Sequence, residues 1–491
     1  MTDYIAVDIG ASSGRLIQTE FNGQGSFEIR EIHRFKNEFN QIQGTDYWNI
    51  QHLIKEILIG LEKAKKSGVE SCFIGIDTWA VDYVLLDKNG DMLTNPVAYR
   101  DKRTDQAIEL FQKQLDLKKL YQMTGIQIQQ FNTIFQLLVE KNLANAKQLL
   151  LIPDYLGYVF TGKAVTEKTN ASTMQLFNLQ TKKWDATILA TLGIEESLFP
   201  PLVEPGYLLG EIRAAKFPTY DLPKATFITV ATHDTASAVV GIPANSTDDW
   251  AYVSSGTWSL LGVEINKGIN NDLAYESNFT NEWGISNSIR FLKNIMGMWL
   301  IQEVARAQNY QYSYAELAKL ASGVPGFQQF IDINDPIFLN PDNMIVAIQD
   351  YCRYTEQKVP ETVAEISRCV YDNLALCYAI ELEKLEEITN QKINKLHIVG
   401  GGSNNHFLNQ LTANLCQIEV EAGPSEATAI GNLMVQMIAT EDYANLSEAR
   451  KGIQNSVDLV IFYPENKLEM QKIISAYKKF IKIRSIANEK D

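Results

Sequence analysis

Two stretches of this chain follow one plan. YIAVDIGASSGRLIQTEF at residues 4–21 and WAYVSSGTWSLLGVEI at residues 250–265 each run as an apolar, β-rich segment, a glycine-containing turn of small residues, and a second apolar segment. The residues differ, so this is an echo of build and not a sequence repeat. It predicts two domains of related construction that meet near residue 245, one over 1–245 and one over 246–491. At 491 residues the chain is also too long for a single growing core.

The surroundings of the first hairpin set the fold class. FEIREIHRF at 27–35 alternates as a third strand, and residues 48–68 repeat apolar positions at helical spacing up to Gly68. SCFIGIDTWAVDYVLLD at 71–87 reads as strand, turn, strand. Hairpin-connected strands, a helix and a further strand predict mixed α/β sheets and not a strand–helix alternation. Residues 104–160 are expected to be mainly helical and 184–222 irregular. In the second half, helices are expected around 291–306, 361–388, 406–415 and 425–440, a strand over 395–402, and a charged amphipathic helix over 463–485.

Several classes drop out on charge and patterning. Lys plus Arg number 44 against 59 Asp plus Glu, a formal charge of −15, which disfavours affinity for a nucleic acid backbone. Charges break every apolar run well before the ~18 residues of a membrane span. MTDYIAVDIG enters a strand without a basic leader, so no secretory signal is expected. Cys72, Cys352, Cys369, Cys377 and Cys416 form no CxxC and read mainly as reduced thiols, with a Cys352–Cys369 bridge left open.

Candidate chemistry sits at strand ends. The segment from Gly157 to Ala164 fits a phosphate-loop pattern except at its last position, where alanine lacks the magnesium-binding hydroxyl. DIGASSGR at 8–15 offers backbone donors and Arg15 to an anion, and Asp8 could hold a hydrated Mg²⁺; the alternative is a plain hairpin with a surface Asp. SSGTW at 254–258 mirrors it without charge. HIVGGGSNN at 397–405 runs a strand into three glycines but is not a dinucleotide fingerprint. Asp77 ends another apolar strand; Trp79 beside it either stacks on a sugar or fills the core, and Asp82 has no assignment. The Ala-rich helix in GPSEATAIGN (423–432) suits a nucleotide wall or a tight core.

His233 and Asp234 lie where the strand of VATHDTASAVVG meets a helix. Five scattered histidines give no zinc spacing, and no GxSxG elbow supports a hydrolase triad. A carboxylate at the mouth of a helix can accept a proton from a hydroxyl, which phosphoryl transfer to an alcohol requires. It can also cap the helix, and the two roles are compatible.

Taken together, DIGASSGR (8–15), GIDTWAVDYVLLD (75–87), PVAYRD (96–101), THDTASAVV (232–240), SSGTWSLLG (254–262), LKNIMGMWLIQE (292–303), HIVGGGSNN (397–405) and GPSEATAIGN (423–432) resemble the FGGY carbohydrate kinases of the actin-like ATPase superfamily, and among them those that act on L-rhamnulose. The likeness runs to about residue 470. It implies an α/β fold of two actin-like (ribonuclease H-like) domains with mixed sheets around a central cleft, the first on the sugar side and the second mainly nucleotide-binding. It implies ATP and Mg²⁺, and transfer to the C1 hydroxyl of L-rhamnulose; L-fuculose, L-ribulose and D-xylulose stay open as alternatives. By this resemblance Ala11, Ser12, Ser13, Gly14, Arg15, Thr257, Gln302, Gly401 and Gly402 approach ATP. Ala80, His233, Asp234, Thr235 and Asn294 approach the sugar, Asp234 is the base, and Asp8 and Asp77 reach Mg²⁺ through water. Ala80 stands where the family often has glycine. A cytoplasmic monomer or weak homo-oligomer, with no nucleic acid or membrane partner, is expected.

Overall fold

The computed structural model describes residues 2–21, 23, 25–244 and 249–488. The boundary expected near residue 245 falls among 245–248, outside the described residues. The chain forms two compact units that are discontinuous in sequence. Residues 264–291 and 427–457 join the first 245 residues in one unit, and 246–263, 292–426 and 458–491 make the other.

The first unit is built on a six-stranded sheet. Strands β1 (Thr2–Ile9), β2 (Ser13–Phe21), β3 (Ile29–Lys36), β4 (Ser71–Thr78), β5 (Tyr207–Glu211) and β6 (Lys224–Thr229) lie in the order β5-β6-β4-β1-β2-β3. β1 is antiparallel to β2 and parallel to β4, so the sheet is mixed. Ile5, Val7 and Ile9 of β1 and Ile74 and Ile76 of β4 are buried in one apolar cluster with helix α1 (Ile50–Lys66), and each such side chain contributes roughly 1.5–3 kcal/mol. α1 starts at Asn49, whose side chain accepts the His52 N–H, and ends on three lysines that suit the negative end of its dipole.

Helices α2 (Asp234–Val240) and α3 (Ala427–Ala439) pack backbone to backbone within this unit. A Cβ on Gly431 would lie 1.8 Å from the Ser237 carbonyl oxygen, and one on Gly241 would lie 2.1 Å from that of Ala427. The Ala-rich segment is therefore a wall of the helix that carries Asp234. Gly431→Ala is expected to destabilise the protein by about 1–3 kcal/mol, seen as a lower urea midpoint. The clash is with a carbonyl that cannot rotate away, so it outweighs the roughly 1 kcal/mol that alanine gains over glycine in a helix. An unchanged midpoint would mean that the helices part freely.

In the second unit, strands β7 (Trp250–Ser255), β8 (Trp258–Ile265), β9 (Lys395–Val399), β10 (Glu419–Ala422) and β11 (Val460–Phe462) lie in the order β8-β7-β9-β10-β11. β7 is antiparallel to β8 and parallel to β9. The echo seen in sequence is thus an echo of topology: each unit has a hairpin whose first strand takes a parallel neighbour. The 27-residue helix Val363–Thr389 begins with a Thr362–Glu365 capping box and is largely buried.

Two local expectations are corrected. Residues 291–306 are not one helix: Ile289–Met296 is a strand, and a helix runs over Trp299–Ala307. A short apolar run does not by itself distinguish strand from buried helix. Gly297 makes the break, because a Cβ there would lie 2.4 Å from Ser259 Oγ. Within 184–222, helix Ala186–Leu192 and edge strand β5 are regular; glycines at positive φ, Gly206 and Gly210, had masked the strand. The segment Gly157–Gly162 is the end of a helix, with Gly162 as its left-handed cap, and forms no phosphate loop. Cys352 and Cys369 are free thiols hydrogen-bonded to each other. No described helix is long and apolar enough to cross a membrane.

Candidate functional site

In the first unit the strand ends bring three carboxylates into one electrostatic neighbourhood. Asp8 and Asp77 stand opposite each other in the parallel register of β1 and β4, so their side chains leave the same face. Arg15, opposite Asp8 across the hairpin, donates to Asp8 Oδ2 from Nε at 3.0 Å and Nη2 at 2.8 Å. Asp77 is fully buried; its Oδ2 accepts from Asn432 Nδ2 at 2.6 Å, while Oδ1 has no hydrogen-bond partner. Burial first, then Asp8 and Asp234, raise the Asp77 carboxyl well above the usual range, against the pull of Asn432 and Arg15.

An oxygen-only donor set with an orphaned buried oxygen fits Mg²⁺, which keeps waters and takes one or two carboxylates. Among the described residues no group of three or more His, Cys, Asp and Glu side chains closes directly on a metal.

The hairpin turn is braced by Asn37, which donates from N to Ser12 O and from Nδ2 to Gly10 O. Gly14 has a packing reason to be glycine: a Cβ there would lie 2.2 Å from the Phe35 ring. Ala11 and Ser13 are half-buried and Ser12 is exposed.

His233 is the N-cap of α2 and bridges to Thr78, so Asp234 opens the helix beside the end of β4. Buried Glu167 secures this junction by accepting from both N and Oγ1 of Thr232. Asp234 Oδ1 accepts from Thr235 N at 2.6 Å and Oγ1 at 3.2 Å, and lies 3.4 Å from His233 Nε2. All these contacts fall on Oδ1. The side chain is 31% exposed, which leaves Oδ2 available to a hydroxyl. Burial raises the Asp234 carboxyl, His233 opposes this, and Asp8 adds to it.

Behind His233 is a buried ion pair that local reading missed. Glu282 Oε2 lies 3.1 Å from Arg290 Nη2 and 3.3 Å from His233 Nδ1. Arg290 is fully buried and also donates from Nε to Trp283 O. Its signal was an arginine inside the apolar run of strand Ile289–Met296. Asn432 and Gln436, one turn apart on α3, were missed too: Gln436 holds the Ile5 carbonyl while Asn432 holds Asp77. Trp79 belongs to the core, 5% exposed, with its ring centroid 4.2 Å from that of Trp48.

The second unit gathers another set. Thr257 Oγ1 donates to Gln302 Oε1 at 3.4 Å, and Trp299 N donates to Thr257 O, tying the β7–β8 turn to helix Trp299–Ala307. Gly400 has φ +82°, and a Cβ on Gly402 would lie 1.9 Å from Ser255 Oγ, so the glycine run lies against β7. A Cβ on Gly401 meets nothing within 4 Å. Asn294 lies on strand Ile289–Met296 beside Lys293, which pairs with Glu381.

Comparison with known proteins agrees across the whole chain. Residues 3–241 match the N-terminal domain of the FGGY family of carbohydrate kinases, and residues 251–440 match its C-terminal domain. A rhamnulokinase of Enterococcus faecalis is 59% identical over 487 residues, 98% of each chain. One of Bacillus subtilis is 51% identical over 480 residues, 97% of this chain and 98% of that one. Among solved structures, a ligand-bound xylulose kinase of Lactobacillus acidophilus superposes with TM-score 0.81 at 16% identity over 99% of both chains. Plasmodium falciparum glycerol kinase with ADP superposes with TM-score 0.78 at 14% identity over 98% of both. These structural likenesses establish a shared two-domain α/β fold.

Proposed function

The chain belongs to the FGGY family of carbohydrate kinases, and we propose that the sugar it phosphorylates is L-rhamnulose, at the C1 hydroxyl, giving L-rhamnulose 1-phosphate and ADP. Family membership makes it a sugar kinase with ATP as phosphoryl donor. The rhamnulokinases that match over nearly their full length support this choice of sugar above L-fuculose, L-ribulose or D-xylulose.

The observation that carries the chemistry is the Asp234 carboxylate. It is half-exposed at the start of a helix, and its internal contacts are confined to one oxygen. In this reading Oδ2 accepts the C1 hydroxyl proton while that oxygen attacks the γ-phosphorus in line. His233 and Thr235 hold the carboxylate and border the sugar, which Ala80 and Asn294 also contact. Ala11 to Arg15, Thr257, Gln302, Gly401 and Gly402 bind the nucleotide, with backbone donors and Arg15 stabilising phosphate charge. Asp8 and Asp77 would hold Mg²⁺ through water, and the bound ion would neutralise charge on the transferring phosphoryl group. Sugar contacts are thus assigned mainly to the N-terminal half, and nucleotide contacts to both halves, residues 11–15 in the first and Thr257, Gln302, Gly401 and Gly402 in the second.

ADP release with ATP and Mg²⁺, measured with and without each of the four ketoses, tests the reading. Turnover is expected to depend on added sugar and to show its highest kcat/KM with L-rhamnulose. A higher kcat/KM with another ketose would reassign the substrate, and turnover indifferent to sugar would overturn the kinase reading.

A further inference from the structure

The four residues between β4 and strand Tyr83–Leu86 form a turn that works against its own backbone preference. Val81 has φ +68°, a left-handed conformation in which a β-branched side chain is strained. Such strain survives only where the surroundings over-determine it, and it concentrates at functional positions. Here the restraint comes from several sides. Val81 O accepts from Thr133 Oγ1 at 2.7 Å and Gln136 Nε2 at 3.3 Å. Asp82 N donates to Ala80 O at 2.9 Å.

The hub is the Asp82 carboxylate, 1% exposed. Its Oδ2 accepts from Trp48 Nε1 at 2.6 Å, Trp79 Nε1 at 2.9 Å and Tyr99 N at 3.1 Å. Its Oδ1 accepts from Gln136 Nε2 at 3.0 Å. One side chain therefore ties three separate segments, at Trp48, Tyr99 and Gln136, to the turn and to its own Trp79. From Asp77 to Tyr83 every residue is buried except Ala80, which is half-exposed. Ala80 gives its carbonyl to Asp82. The whole device holds one small residue and its backbone at the surface of the site.

We propose that Asp82 is the positioning residue for sugar specificity: by clamping two indoles beside a strained valine, and by donating its N–H to the Ala80 carbonyl, it fixes the Ala80 backbone against the ketose. The proposal rests on the reading of Ala80 as a sugar contact. A backbone held in one place can discriminate the configuration of a neighbouring hydroxyl, whereas a turn free to move would adapt to either epimer.

Steady-state kinetics of Asp82→Asn and Trp48→Phe test it, with KM measured for sugar and ATP separately. Asp82→Asn places an amide donor where a carboxylate now accepts from donors on both oxygens. Trp48→Phe deletes the indole N–H and keeps an aromatic, though smaller, ring against Trp79. The KM for L-rhamnulose is expected to rise about 10-fold in the first and about 3-fold in the second, the scale of one or two lost hydrogen bonds. The KM for ATP should stay within about 2-fold, and the kcat/KM preference for L-rhamnulose over L-fuculose should narrow by about 10-fold in Asp82→Asn. If both variants lower thermal stability or active fraction but leave sugar KM and preference unchanged, Asp82 is structural only and the proposal fails. If Asp82→Asn does not fold, Trp48→Phe decides by the same readout. A wild type that prefers another ketose would move the substrate assignment alone, and the KM split is then read on that ketose.

Discussion

Asp234→Asn is expected to lower kcat about 10²–10⁴-fold while leaving the fold intact. Asparagine keeps the shape and can still accept from Thr235 N, which donates to Oδ1 at 2.6 Å, so the local contact at the start of α2 should persist. What disappears is a group able to take a proton. The pH profile supplies an independent check. The base works only when ionised, so wild-type kcat should fall on the acid side as Asp234 protonates. Burial and the nearby Asp8 raise this carboxyl, with His233 opposing, so the limb should lie above the ordinary aspartate value of about 3.9. The residual rate of the variant should lack that limb. A variant that retains more than about a tenth of wild-type kcat, on the same pH profile, would remove Asp234 from the role of base.

Arg290→Met is expected to cost about 3–5 kcal/mol of stability, read from urea denaturation with an unchanged slope. Methionine fills much of the same length but leaves the buried Glu282 carboxylate without its guanidinium, with the His233 ring as its remaining ion-pair contact. Burial pushes the Glu282 carboxyl up, yet Arg290 first and His233 second more than offset it, and the group is held below its usual range. A carboxyl depressed in this way stabilises the fold above its unfolded pKa of about 4.3 and loses that contribution as pH falls below it. The deficit of the variant should therefore shrink in acid. The double variant Glu282→Gln/Arg290→Met should recover much of the loss, because removing both charges costs less than stranding one. A loss under about 1 kcal/mol in the single variant would mean that water reaches Glu282 and the pair is not sealed.

These two expectations rest on different kinds of information. Asp8, Asp77 and Asp234 could be found by reading along the chain because each ends a short apolar run next to small residues or a helix start, a pattern carried by immediate neighbours. The paired hairpins were legible for the same reason, since alternation and glycine turns are local. The resemblance to carbohydrate kinases added roles to those positions. Residues 291–306 show where local pattern fails: an apolar run suits strand and buried helix alike, and the close approach of Gly297 to Ser259 sets the break between them.

The rest depended on the packed chain. Asn432 reaches Asp77 across 355 positions, and Gln436 reaches Ile5 across 431. Residues 264–291 and 427–457 return to the first unit although they follow the start of the second in sequence. Arg290, read along the chain, is one charge in an apolar strand; in the fold it answers Glu282 and His233. Asp82 carried no assignment until Trp48, Trp79, Tyr99 and Gln136 converged on it. The physical reason is common to all of them. Periodicity states which residues go inside, and that is a property of neighbours. A polar group taken inside must then find its partners among whatever the fold brings there, because leaving it unpaired costs more than most single contacts supply.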